Sequence, residues 1–320
     1  MSEKFMNFNT IFFNEAGRVR SGWRFALFLL SFIFFGTLLG GAVVAFFSAT
    51  GIEFSSGSLR YILINSSISL VLTLALGWFW GKSLEDLPFR ALGAWFSKNW
   101  FKDLLWGLIF GALALALACG IAVVFGGLSF EFNRSYGTAA ILLTLGVAAL
   151  VFAVAAAFEE ALFRGYILQT FARARLAWLA ILLTSCFFAL AHYNNPNATA
   201  LSTINTALAG VWLGVAYLKT RNLWFPFGVH LMWNWMQGAF FGVEVSGLQK
   251  LITAPFLREI DSGPVWLTGE NYGIEGGIAC TVALVVSTIA IWFAPFLKPT
   301  EEMLALTSAE TPAESSAVKD

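Results

Sequence analysis

Charge is what this sequence has least of. Only 12% of its 320 residues are Asp, Glu, Lys or Arg, about half the share of an ordinary soluble domain, and the mean hydropathy is +0.74. With 58% hydrophobic residues, a water-soluble fold of this length could not cover its apolar surface, and the soluble classes are excluded. The 19 basic residues balance the 19 acidic ones, and none cluster among aromatics in the way phosphate backbones require. Nucleic acid is therefore not an expected partner. Cysteine is limited to Cys119, Cys186 and Cys280, each inside an apolar run, with no CxxC pair and no adjacent histidine. That pattern predicts packing residues and no disulfide. There is no internal repeat. The first apolar run is too long for the core of a signal peptide, and the ending Ala317-Val318-Lys319-Asp320 is not a prenylation box.

What is present is length of apolar run. Stretches able to cross about 30 Å of hydrocarbon at about 1.5 Å per residue fall near 25–48, 61–81, 104–126, 139–163, 177–193, 200–218, 223–242 and 276–296. The expected fold is an all-α integral membrane protein with about eight transmembrane helices. The fifth run is short, and the fourth can continue through Tyr166 to Ala172 as one overlong helix. Lys and Arg concentrate in alternating segments: Lys4, Arg18, Arg20 and Arg24, then Lys82, Arg90, Lys98 and Lys102, then Arg173 and Arg175, then Lys219 and Arg221, then Lys298 and Lys319. The opposite connections hold Arg60, Arg134, Lys250 and Arg258, which predicts that both termini are cytoplasmic. The domain organisation expected is a cytoplasmic segment over 1–24, a membrane domain over 25–296, and a disordered cytoplasmic tail over 297–320, rich in Glu, Ser, Thr, Ala and Pro. The expected location is multi-pass in a membrane, the bacterial inner membrane in particular. Trp95, Trp100, Trp106 and Trp224 sit at run edges, as interfacial rings do, and Gly36/Gly40 and Gly210/Gly214 have the spacing of close helix contacts.

Ionisable groups within hydrocarbon are costly, so those that persist mark candidate sites. They are Glu159, Glu160 and Arg164 on the fourth run, His192 at the end of the fifth, and His230 with Asn234 on the seventh. The two histidines are the only two in the chain. Glu160 and Arg164, four residues apart, share a helix face and can form a salt bridge. Glu159 then points about 100° away, which leaves one carboxylate paired and its neighbour available as a base. His230 and Asn234 also lie four apart and face one way. Phe188 stands one turn before His192 and can pack on its ring. An isolated Glu–Arg pair in a span is more often a helix-locking bridge, and an isolated His or Asn an interhelical hydrogen bond. Together they suit water activation by Glu159 and His192, with His230 and Asn234 donating to a developing oxyanion.

The pieces Glu159-Glu160-x-x-x-Arg164, Phe188-x-x-x-His192 and His230-x-x-x-Asn234 resemble the EExxxR, FxxxH and HxxxN motifs of the CPBP family, which groups type II CAAX prenyl proteases with bacterial Abi and bacteriocin-immunity proteins. The resemblance covers about residues 139–242. It implies a four-helix catalytic core and an intramembrane peptidase acting on a peptide or membrane-protein substrate, with Glu159 and His192 on the attacking water. His230 and Asn234 then form the oxyanion hole, supported by Glu160, Arg164 and Phe188. The family is named for metalloproteases, yet a metal-free glutamate mechanism has also been proposed for it. If zinc is bound, Glu159, His192 and His230 are the ligand set, although HExxH spacing is absent. A non-catalytic immunity or partner-binding protein is the alternative, and a proton-coupled transporter a third reading. One tension stands: His230 lies about 14 Å along its helix beyond Arg221, whereas His192 lies about 25 Å beyond Arg175.

Overall fold

All eight apolar runs become helical rods. The computed structural model describes residues 8–52, 54, 57–248 and 251–308. In chain order the elements are α1 (Phe8–Phe12), α2 (Ser21–Thr50), α3 (Leu59–Glu85), α4 (Trp100–Val124), β1 (Leu128–Phe132), α5 (Thr138–Glu160), α6 (Leu168–Arg173), α7 (Ala177–His192), α8 (Ala200–Thr220), α9 (Trp224–Trp235), β2 (Leu257–Asp261), α10 (Val265–Thr268), α11 (Ile278–Phe293) and α12 (Glu301–Thr307). A π-helical segment, Ala161–Ile167, joins α5 to α6 without interruption, and a second, Met236–Phe241, extends α9. The overlong fourth run is thus one rod, Thr138–Arg173.

Five rods are long and apolar enough to cross a membrane: Ser21–Thr50, Leu59–Glu85, Trp100–Val124, Thr138–Arg173 and Ala200–Thr220. Helices α7 and α11 are apolar but have 16 residues each, about 24 Å of rise. The protein is a multi-pass membrane protein on this composition. By length and apolarity five helices qualify, against the eight expected.

The rods alternate in direction. At one end, Glu85 at the close of α3 takes Arg24 of α2 and Arg173 of α6 as buried ion-pair partners. The same end holds Asn222, whose amide donates to Asp103 of α4 at 2.6 Å, and Lys219, which donates to the Trp292 carbonyl of α11 at 2.9 Å. Trp224 donates to the Trp95 carbonyl there and packs against Trp100, while Trp106 stacks near Phe296. We call this the basic end. The opposite, or strand, end carries β1 and β2, paired antiparallel with Phe130 opposite Glu259, and the connections 193–199 and 242–277. This two-stranded sheet departs from the all-α expectation; it forms because alternating residues of 128–132 and 257–261 find ladder partners outside the helices.

Helix α4 crosses α9 at near backbone contact. A Cβ on Gly107 would stand 2.3 Å from the Phe225 carbonyl, and one on Gly111 2.3 Å from that of Val229. Gly210 also meets Ser185 of α7 closely, at 2.6 Å from a Cβ to the Ser185 Cα, as its spacing predicted, whereas Gly36 and Gly40 touch no neighbouring backbone. Cys119 and Cys280 are buried, but Cys186 is exposed and does not pack as expected; all three are free thiols. The tail is corrected in part: α12 buries Met303 and Thr307, and Arg90 pairs with Glu302 at 3.1 Å. Residues 309–320, which the expected disorder also covered, and Lys4, Lys250 and Lys319 lie outside the described residues.

Candidate active site

Three separate helices deliver the motif side chains to one cavity of about 440 Å³, lined among others by Glu159, Phe188, His192, His230 and Asn234. Glu159 is the last residue but one of α5, His192 ends α7, and His230 and Asn234 lie one turn apart on α9. The crossing with α4 holds α9 deep enough for this. Pro226 falls in the first turn of α9, where its missing N–H costs no helical bond, so the helix is unbroken there.

Glu159 and Glu160 divide as adjacent helix positions must. Glu160 and Arg164 are fully buried behind the cavity wall and joined at 3.1 Å. Arg164 also donates to the Gly210 carbonyl at 3.2 Å, and its guanidinium lies over the Phe188 ring, 5.0 Å from the centroid. The Glu160 oxygen that takes Arg164 also stands 2.8 Å from His230 Nδ1. Because a carboxylate only accepts, Nδ1 carries the proton, and Nε2 of His230 faces Glu159 Oε2 at 3.8 Å. Among the described residues that Glu159 oxygen is buried with no hydrogen-bond partner.

His192 is oriented by its own helix. Its Nδ1 lies 2.8 Å from the Phe188 carbonyl, which again makes Nδ1 the donor and leaves the lone pair on Nε2. The Phe188 ring packs 4.7 Å from the His192 ring and meets His230 edge-on at 6.0 Å. Phe188 therefore touches both imidazoles and the guanidinium, more than the single contact expected of it. Both histidines thus reach one cavity despite the difference in their distances along their helices.

The zinc set is not formed. No group of three His, Cys, Asp or Glu side chains among the described residues converges as metal ligands.

Sequence reading missed the far wall. Glu275 accepts from the Ser246 N–H and hydroxyl at 2.7 and 2.8 Å and from Trp233 Nε1 at 3.2 Å. Asn195 donates to the Ser246 carbonyl at 3.0 Å. Asn195, Ser246 and Glu275 all line the cavity. Trp233 inside the third motif was the one local signal, but its partner lies 42 residues on. Also unseen were the π segments that begin directly after Glu160 and just after Asn234, a feature frequent at functional sites.

Residues 141–236 match the family model of the Rce1-like type II CAAX prenyl endopeptidases. The matched stretch contains all three motifs and agrees with the resemblance to the CPBP family. It supports a peptidase. Comparison with curated proteins and with solved structures gives no match.

Proposed function

We propose that the protein is an intramembrane endopeptidase that hydrolyses a peptide bond in the cavity with water activated by Glu159. The observation that carries this is the convergence of Glu159, His192, His230 and Asn234 from three helices on a single cavity. The buried, unpartnered Glu159 Oε2 takes a proton from water as its oxygen bonds to the carbonyl carbon, while His192 Nε2 holds the same water as a second acceptor. The resulting oxyanion accepts hydrogen bonds from the Asn234 amide and from His230 Nε2–H. An imidazolium at His230 makes Glu159, Glu160, Arg164 and His230 together electroneutral, which suits a low-dielectric site. Collapse breaks the C–N bond, and the proton on Glu159 passes to the departing amine. Glu160 positions His230, and Phe188 positions His192.

The test is cleavage of a peptide library, prenylated and unprenylated, by purified protein in detergent. Glu159→Gln is expected to lower the rate by at least about 10²-fold with an unchanged melting temperature. Undiminished cleavage by that variant would overturn the assignment.

A further inference from the structure

The cavity has a polarity along the bundle that the motifs do not specify. Apart from the helices themselves, its lining comes from Asn195, Val245, Ser246, Leu248, Leu251 and Glu275, and every one of these belongs to a strand-end connection. None of the basic-end connections, 86–99, 174–176, 221–223 or 294–300, reaches it. That side carries the Arg24–Glu85–Arg173 group, Asp103 with Asn222, and the buried residues Ala91 and Leu92, and the recess of about 290 Å³ beside Arg24 and Arg173 shares no lining residue with the catalytic cavity.

The two ends differ sharply in charge. The basic end gathers Arg18, Arg20, Arg24, the four cations between Lys82 and Lys102, Arg173, Arg175, Lys219, Arg221 and Lys298. The strand end holds only Arg60, Arg134 and Arg258 among the described residues, while acidic residues stand at both ends: Glu15, Glu85, Asp86, Asp103, Glu301 and Glu302 at the basic one, and Glu131, Glu244, Glu259, Asp261, Glu270 and Glu275 at the strand one. Lys and Arg in short connections are retained on the cytoplasmic side of a membrane, and acidic residues have little influence on orientation. The alternating rods make this one decision for the whole bundle.

We infer that the strand end faces away from the cytoplasm and that the catalytic cavity is served from that side. Resting on the peptidase reading, this names the substrate class: a peptide segment exposed at, or emerging from, the outer face of the membrane. A cytoplasmic carboxyl-terminal tail of the CAAX type would meet the basic end.

Single cysteines test this in a background carrying Cys119→Ala, Cys186→Ala and Cys280→Ala. Asn194→Cys at the strand end and Lys98→Cys at the basic end are exposed positions. A membrane-impermeant maleimide added to intact expressing bacteria is expected to label the cysteine at 194, and the one at 98 only after permeabilisation. The reverse pattern, or labelling of both without permeabilisation, overturns the inference. If the cysteine-free background does not accumulate, external trypsin on intact cells producing the wild-type chain reads the same question: cutting at exposed Arg258 supports the inference, and cutting confined to permeabilised cells overturns it. Neither readout requires catalysis, so an outward cavity in a protein whose Glu159→Gln variant still cleaves would defeat the peptidase mechanism alone.

Discussion

Two adjacent glutamates have opposite situations, and the difference can be measured. Glu160 is fully buried and shares one oxygen between Arg164 and His230. Glu160→Gln leaves a buried guanidinium without its counter-charge, a loss of about 3–5 kcal/mol by the behaviour of broken buried pairs. A lower melting temperature and a lost activity are expected together. Glu159 makes no comparable bond, so Glu159→Gln should lose activity with its melting temperature unchanged; equal melting temperatures for the two variants would contradict this division. The Glu160–Arg164 bond was legible because helix geometry brings residues four apart together. The Glu160–His230 bond was not, because 70 residues separate them and no local rule connects α5 to α9.

Small residues act at the scale of the element. The GxxxG spacing of Gly210 and Gly214 corresponds to close packing of α8 on α7, but the same spacing at Gly36 and Gly40 does not bring a neighbour near. Gly107 and Gly111, which have the same four-residue spacing, make the tighter contact; the spacing does not say which pair meets a neighbour, since which face of an apolar helix meets protein depends on what lies opposite. Gly111→Ala places a methyl carbon 2.3 Å from the Val229 carbonyl, immediately before His230. It is expected to cost about 1–3 kcal/mol by overpacking and to lower cleavage by displacing the imidazole. Gly40→Ala should be silent in both thermal melting and cleavage; matched losses in the two variants would refute the role given to this crossing. The π segments belong here too. They insert a wider turn directly after Glu160 and just after Asn234, and a hydrogen-bond shift of one residue leaves no trace in composition or periodicity.

At the scale of the whole molecule, one carboxylate ties three helices. Glu85 takes both Arg24 and Arg173 in a buried group, so Glu85→Gln strands two guanidiniums and is expected to lower the yield of folded protein in detergent more than any loop substitution, read by size-exclusion monodispersity. At the other end, burial together with the charges of Glu244 and Asp261 pushes the Glu259 carboxyl up to about 8. The ordinary value is 4.5, so between these the folded form holds a proton that the unfolded form has released. Stability contributed by the strand pair therefore falls as pH rises through this window. Limited proteolysis within 251–264 should accelerate from about pH 5 to about pH 8 once the protease's own profile is subtracted, and Glu259→Gln should flatten that dependence. A wild-type rate independent of pH would count against a buried, protonated Glu259.

Composition and run length by themselves determined that this chain lies in a membrane as helical rods, because apolar surface on this scale has no aqueous solution and unpaired backbone is intolerable in lipid. The residues able to carry chemistry were equally plain, since charge and imidazole are scarce where they are costly. Which partner each of them holds and which end of the bundle the cavity lies toward were decided only by tertiary structure. These depend on distances between helices far apart in the chain, set by how closely α4 admits α9 and α7 admits α8. Hydropathy records the cost of entering the bilayer; it carries no information about which faces then meet.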